Sequence, residues 1–111
     1  MGMRQITKDS IRAFTIKQAF KRGNTEVKIQ DFDDYFIIEL RLHGNVIAMY
    51  KMGRFVPDDG RVEISTCGWN TVTTRERLNG LPNVHVTQRN FELFLNGEPW
   101  DGQRTKVELW L

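Results

Sequence analysis

Tyr35-Phe36-Ile37-Ile38-Glu39-Leu40-Arg41-Leu42-His43-Gly44-Asn45-Val46-Ile47-Ala48-Met49-Tyr50-Lys51-Met52 reads as two strands folded back on each other. Both arms are rich in aromatic and β-branched residues, which suit a pleated, half-buried surface. Gly44-Asn45 predicts a two-residue loop of type II′, with glycine at the position that needs positive φ. That loop pairs Leu42 with Ile47, Leu40 with Met49, Arg41 with Ala48 and Glu39 with Tyr50. One face is then wholly apolar, made of Leu40, Leu42, Ile47 and Met49. The other is mixed. Side chains alternate with period two, so a one-residue slip would destroy the match.

Upstream, Asp9-Ser10 predicts the cap of a helix from about Ile11 to Arg22. Ala13, Ile16, Ala19 and Phe20 gather on one side of it. Lys17, Lys21 and Arg22 fall near its end, where the helix dipole favours cations, and Gly23-Asn24 stops it. Thr25 to Gln30 alternates weakly and predicts a strand, ended by a turn at Asp31-Phe32-Asp33-Asp34.

Downstream, Asp58-Asp59-Gly60 predicts a turn. Arg61 to Thr66 predicts a strand antiparallel to its predecessor, with Val62 and Ile64 inward. Cys67-Gly68-Trp69-Asn70-Thr71-Val72-Thr73-Thr74-Arg75-Glu76-Arg77-Leu78-Asn79-Gly80-Leu81 follows. It reads as a turn, a cap offered by Asn70, Thr71 or Thr73, a short helix from about Val72 to Asn79, and Gly80 as the left-handed stop. Val84 to Thr87 and Phe91 to Leu95 predict a second hairpin turning at Gln88-Arg89-Asn90. Asn96-Gly97 folds Glu98-Pro99-Trp100 back. Lys106 to Leu111 predicts a terminal strand. The expected class is α+β, an antiparallel β-meander sheet with two helices packed on one face.

The length of 111 residues fits a single domain over residues 1–111, with residues 1–8 expected as a disordered N-terminal tail. The apolar fraction of 40% and charged fraction of 27% are those of an ordinary globular chain. A net charge of +2 gives charge alone little to say about a nucleic-acid partner. Cys67 is the single cysteine, so neither an internal disulfide nor a thiolate metal cage can form. No apolar run approaches a membrane span, and the N-terminus lacks a signal-peptide core. Ile6 stands where the myristoylation pattern needs Ser or Thr. These features lead us to expect an intracellular, cytoplasmic protein with no membrane partner.

Three pieces, Arg22 to Val27, Leu42 to Ala48 and Gly68 to Asn79, resemble in that order a group of small proteins of tailed bacteriophages. The resemblance spans roughly residues 13 to 100, and its last piece is the most specific. It implies a viral accessory protein working in the host cell, and no particular chemistry.

His43 and His85, the two histidines, lack a partner at ligand spacing. Asp31-Phe32-Asp33-Asp34 lacks the glycine and distant glutamate of a calcium loop. Neither metal nor cofactor is expected. No nucleophile elbow, Ser-His-Asp order or Cys-His pairing is present, and no phosphate-loop pattern occurs. The expectation is a non-enzymatic binding protein.

Two partner classes remain. For nucleic acid, Trp69 precedes a helix bearing Thr74, Arg75 and Arg77, with Arg41 on the outer face of the first hairpin and Arg89 at a loop tip. Stacking on a base and charge-assisted phosphate contacts would then give binding, to nucleic acid itself or to a host nucleic-acid-processing machine. The alternative reading of Trp69 is as core. For a host or defence protein, Tyr50, Phe94 and Trp110, with Ile37 and Met52, fall opposite the best apolar stripes and would form a patch. A homodimer pairing through Lys106 to Leu111, or a virion structural oligomer, would use the same face or edge.

Overall fold

The computed structural model describes residues 4–53 and 60–108. The chain runs α1 (Gln5–Thr15), β1 (Phe20–Arg22), β2 (Thr25–Asp31), β3 (Tyr35–Leu42), β4 (Asn45–Gly53), β5 (Arg61–Ile64), α2 (Val72–Asn79), β6 (Val86–Arg89), β7 (Glu92–Leu95), β8 (Glu98–Pro99) and β9 (Thr105–Glu108). The class is α+β. Strands β1 to β5 run as an antiparallel meander, and β9 adds beside β5 to complete a six-stranded sheet. The meander is interrupted before that last strand, because β6, β7 and β8 form a small antiparallel sheet of their own. Expected strand residues 109–111, including Trp110, and the turn residues Asp58 and Asp59 lie outside the described residues.

The first hairpin forms where expected, but with a different loop and register. The loop residues are His43 and Gly44, with φ of 52° and 81°, so both central positions are left-handed, as in a type I′ turn. Leu42 pairs with Asn45, Arg41 with Val46, Leu40 with Ala48, and Ile38 with Tyr50. The register shifts between Leu40 and Arg41, leaving Ile47 as an extra residue in β4. This bulge lets consecutive Ile47 and Ala48 both be buried. The predicted face of Leu40, Leu42, Ile47 and Met49 therefore becomes Ile38, Leu40 and Leu42 with Ala48 and Tyr50, while half-buried Met49 faces Glu39 and Glu63 outside.

Helix α1 corrects the expected Ile11–Arg22 segment. Residues 5–8, expected in the tail, form its first turn. It ends before Lys17, which takes φ 61°. The Gln18 N–H then reaches back to the Ala13 carbonyl at 2.8 Å, and the Ile16 N–H to Arg12 at 2.9 Å. The long return bond and left-handed residue are those of a Schellman stop, here with lysine instead of glycine. Its buried face is Thr7, Ser10, Ile11, Ala13 and Phe14; of the expected face Ala13 is thus buried, whereas Ile16 and Ala19 are exposed. Phe14 meets Tyr50 edge-on at 5.0 Å between centroids, and the Tyr50 hydroxyl donates to the Phe14 carbonyl at 2.7 Å. Burying Phe14 is worth about 2–3 kcal/mol.

Both helices cover one face of the large sheet: α1 lies against β1, β2 and β3, and α2 against β4, β6 and α1. The opposite face is a charge ladder. Lys28 faces Glu39, Glu26 faces Arg41, Glu63 faces Lys106 and Arg61 faces Glu108. Directly opposed unlike charges stabilise antiparallel pairs; Glu39, though on this face, is buried and is held by Gln30 and Arg41.

Candidate functional site

Beyond β5 the chain is steered by a tight turn. Cys67 and Gly68 take φ of 54° and 81°, and the Trp69 N–H closes on the Thr66 carbonyl at 2.9 Å. Cys67 is tied inward, its Sγ donating to the Val46 carbonyl at 3.0 Å. Trp69 is thereby turned outward and is 63% exposed, so it is not a core residue. Thr71 then caps α2: its Oγ1 accepts the Thr74 N–H at 3.1 Å and meets the Thr74 hydroxyl at 3.0 Å. These two hydroxyls are thus engaged in capping, as threonines at a helix start ordinarily are.

Trp69 stands at a groove of about 470 Å³ between the tip of the β3–β4 hairpin and the start of α2. Leu42 and Ile47 supply apolar lining; His43, Asn45, Thr66, Thr71, Thr73 and Thr74 supply the rest. None of these lining side chains is acidic. At its margins the half-buried Arg75 turns back so that Nη1 bonds Asn70 Oδ1 at 2.7 Å. Arg104 reaches the Val46 carbonyl with Nη2 at 3.1 Å. His43, weighed from the sequence only as a metal ligand, and Asn45, read as a loop residue, reach this groove through a contact between distant segments. Arg104 lies far along the chain and carries no local signal.

The other expected contact residues scatter. Arg77 is 1% exposed and belongs to the interior. Its Nε donates to Thr25 Oγ1 at 3.1 Å, and its Nη1 to Thr7 Oγ1 at 2.6 Å and to Glu76 Oε1 at 2.7 Å. It is a structural bolt between α1, α2 and β2, which overturns its reading as a surface contact. Nothing local marks this burial: the partners Thr7 and Thr25 are polar and lie far away in sequence. Glu76 also accepts from the Thr7 hydroxyl and from Arg4 Nε at 3.0 Å. Burial works to raise its pKa, but the Thr7 and Arg4 hydrogen bonds and the charges of Arg4 and Arg77 prevail and hold it below the ordinary carboxylate value.

Arg41 is on the outer sheet face as expected, but it is bound to Glu39 at 2.8 Å. Tyr50 is 3% exposed on the inner face, so the bulged register removes it from any outer patch. Met52 likewise packs against the core. Phe94 is half-buried in the small sheet, and the exposed Arg89 lies over its ring at 5.6 Å. Those two residues share the β6–β7 hairpin and do not line the Trp69 groove. Among the described residues no cluster of His, Cys, Asp or Glu could hold a metal ion. No described helix is long and apolar enough to cross a membrane.

No curated protein and no solved structure matches the chain. The family model described as Kyanoviridae Gp96 protein matches residues 3–109, nearly the whole chain. By that match, the protein belongs to the Kyanoviridae Gp96 family of bacteriophage proteins.

Proposed function

We propose that this phage protein is a small non-enzymatic binding module for single-stranded nucleic acid, with the Trp69 groove as its contact site. The observation that carries the reading is the exposed Trp69 ring beside a groove with no acidic lining residue. An indole face stacks on any base, and stacking contributes about 1–3 kcal/mol per base. Arg75 and Arg104 at the margins supply cations for the backbone. His43 and Asn45 offer polar groups toward the base edge, and Leu42 and Ile47 an apolar floor. The rival reading, a protein-directed inhibitor using an aromatic face of Tyr50, Phe94 and Trp110, loses Tyr50, which is buried; Phe94 is half-buried and Trp110 lies outside the described residues.

The test is anisotropy of labelled single-stranded and duplex DNA and RNA at low and physiological salt. Binding to single strands should weaken as salt rises. Trp69→Ala should lower affinity about 10- to 100-fold, the loss of one stacked base. Arg75→Ala should reduce the salt slope. Absence of binding at low salt, or an unchanged affinity in Trp69→Ala, would remove this site assignment.

A further inference from the structure

The two edges of the large sheet are built differently. On one side β1 is only three residues long and carries Lys21 and Arg22, the short, basic form that keeps an edge from pairing. On the other, β9 pairs only with β5 among the described residues. Its residues are Thr105, Lys106, Val107 and Glu108. The neighbouring strands fix which way its peptide groups point. The Ser65 N–H donates to the Ile47 carbonyl at 2.8 Å, so the peptide groups of Ser65 face β4. Hydrogen-bonding sides alternate along an antiparallel strand. Val62 and Ile64 therefore turn theirs toward β9, where Val107 and Thr105 stand opposite. The Thr66 N–H, bonded to the Gly102 carbonyl at 3.0 Å, keeps the same alternation. Lys106 and Glu108 thus direct their N–H and C=O groups away from the sheet, as a template for one more strand.

An added antiparallel strand must set outward-directed residues against outward-directed residues. If that strand is β9 of a second copy, two-fold symmetry centres the pair on a single residue. Centred on Lys106 or on Glu108, the pair opposes like charges, which destabilises it. Centred on Val107, it sets Lys106 opposite Glu108 of the second copy, and Glu108 opposite Lys106 of the second copy. Both are then pairs that exchange N–H···O bonds in each direction. Each charge also continues the ladder inside the chain, where Glu63 faces Lys106 and Arg61 binds Glu108 at 3.1 Å. Across the seam the order runs Glu63, Lys106, Glu108, Arg61, alternating in sign without a break. The half-buried Val107 meets its own counterpart at the centre. A strand that is its own complement in one register selects a second copy over an unrelated strand.

We propose that β9 is the seam of a symmetric homodimer, in which two copies join antiparallel about Val107 into one continuous sheet. This seam does not depend on the nucleic-acid reading.

Sedimentation equilibrium of the full-length protein tests it. A seam this short belongs with weak, transient interfaces, so the parent should form a dimer with a Kd of about 1–500 µM. Lys106→Glu and Glu108→Lys each set like charges against one another at both ends of the seam. Each should weaken dimerisation at least about 10-fold. Mixed in equal amounts, the two variants should associate again, because one then offers two acidic side chains and the other two basic ones. Misfolding of either variant could not produce that recovery. A parent still monomeric at about 1 mM, dimerisation unchanged by either reversal, no association on mixing, or an assembly larger than a dimer would each overturn the proposal.

Discussion

Replacing Arg77 by alanine should be among the most damaging single changes in the described chain. The side chain is 1% exposed and donates to two buried threonines, Thr7 and Thr25, and to Glu76. Burial, with Arg4 nearby, pushes the Arg77 pKa down while Glu76 opposes this; an arginine nonetheless stays charged. Truncation removes three charge-assisted bonds. It leaves Thr7 and Thr25 each short of a donor, strips Glu76 of one cation and opens a void between the helices. Breaking a buried, paired charge in this way costs about 3–5 kcal/mol. Against a total domain stability of roughly 5–15 kcal/mol, that is a large share. At roughly 4 °C per kcal/mol for a domain of this size, Tm should fall by about 12–20 °C. Thermal and urea unfolding followed by circular dichroism measure it. Arg75→Ala, whose hydrogen-bond partner among the described residues is Asn70 at the surface, should shift stability by no more than about 0.5 kcal/mol. Arg77→Met, which keeps volume without charge, should fall between the two. A loss below about 3 °C in Arg77→Ala would refute the assignment of Arg77 as the bolt between α1, α2 and β2.

Acid should act through Glu76. Its pKa is depressed in the folded state, so its stabilising contribution is full above the unfolded value of about 4.5 and is lost as pH falls through the lower folded value. Urea midpoints measured from neutral pH downward should drop below that value, and Glu76→Gln should flatten this acid limb; a parallel limb in the variant would count against it. Gly80→Ala should destabilise by about 1–3 kcal/mol, read from the urea midpoint. A Cβ there would stand 2.6 Å from Ile11 Cγ1 and 3.0 Å from Thr7 Cγ2, so an unchanged midpoint would mean that α1 can give way.

Much of the sheet was legible because β3 and β4 combine strong strand composition with a glycine turn. The α2 segment was legible for a similar reason: Thr71 and Gly80 bracket it at the expected places. Gly80, however, is αR with φ −72°. It is glycine because α1 presses against it, a contact between distant segments. The hairpin register failed at one residue, since nothing local marks Ile47 as a bulge. Helix α1 was displaced because its buried face carries Thr7 and Ser10 and its stop uses Lys17. The site was half legible: Trp69 stood out by composition, whereas the burial of Arg77 depends on two threonines far apart in sequence. The turn expected at Gln88-Arg89-Asn90 forms at Asn90-Phe91 instead, both residues taking positive φ.

The pairing of β5 with β9 joins Ile64 to Thr105 across everything that builds α2, the groove and the small sheet. Gly102 fastens this junction, its carbonyl accepting the Thr66 N–H at 3.0 Å and the Ser65 hydroxyl at 3.1 Å. In time, this makes the sheet a structure of two tempos. Strands β1 to β4 pair with sequence neighbours and can form as soon as they are made. The last seam must close a long excursion, and the loss of chain freedom in that closure is met before its contacts form. Until Thr105–Glu108 emerge from the ribosome, the outer edge of β5 is an open template for wrong partners. Trp69, which gives this protein its candidate contact, therefore rides on the part of the chain whose enclosure comes last.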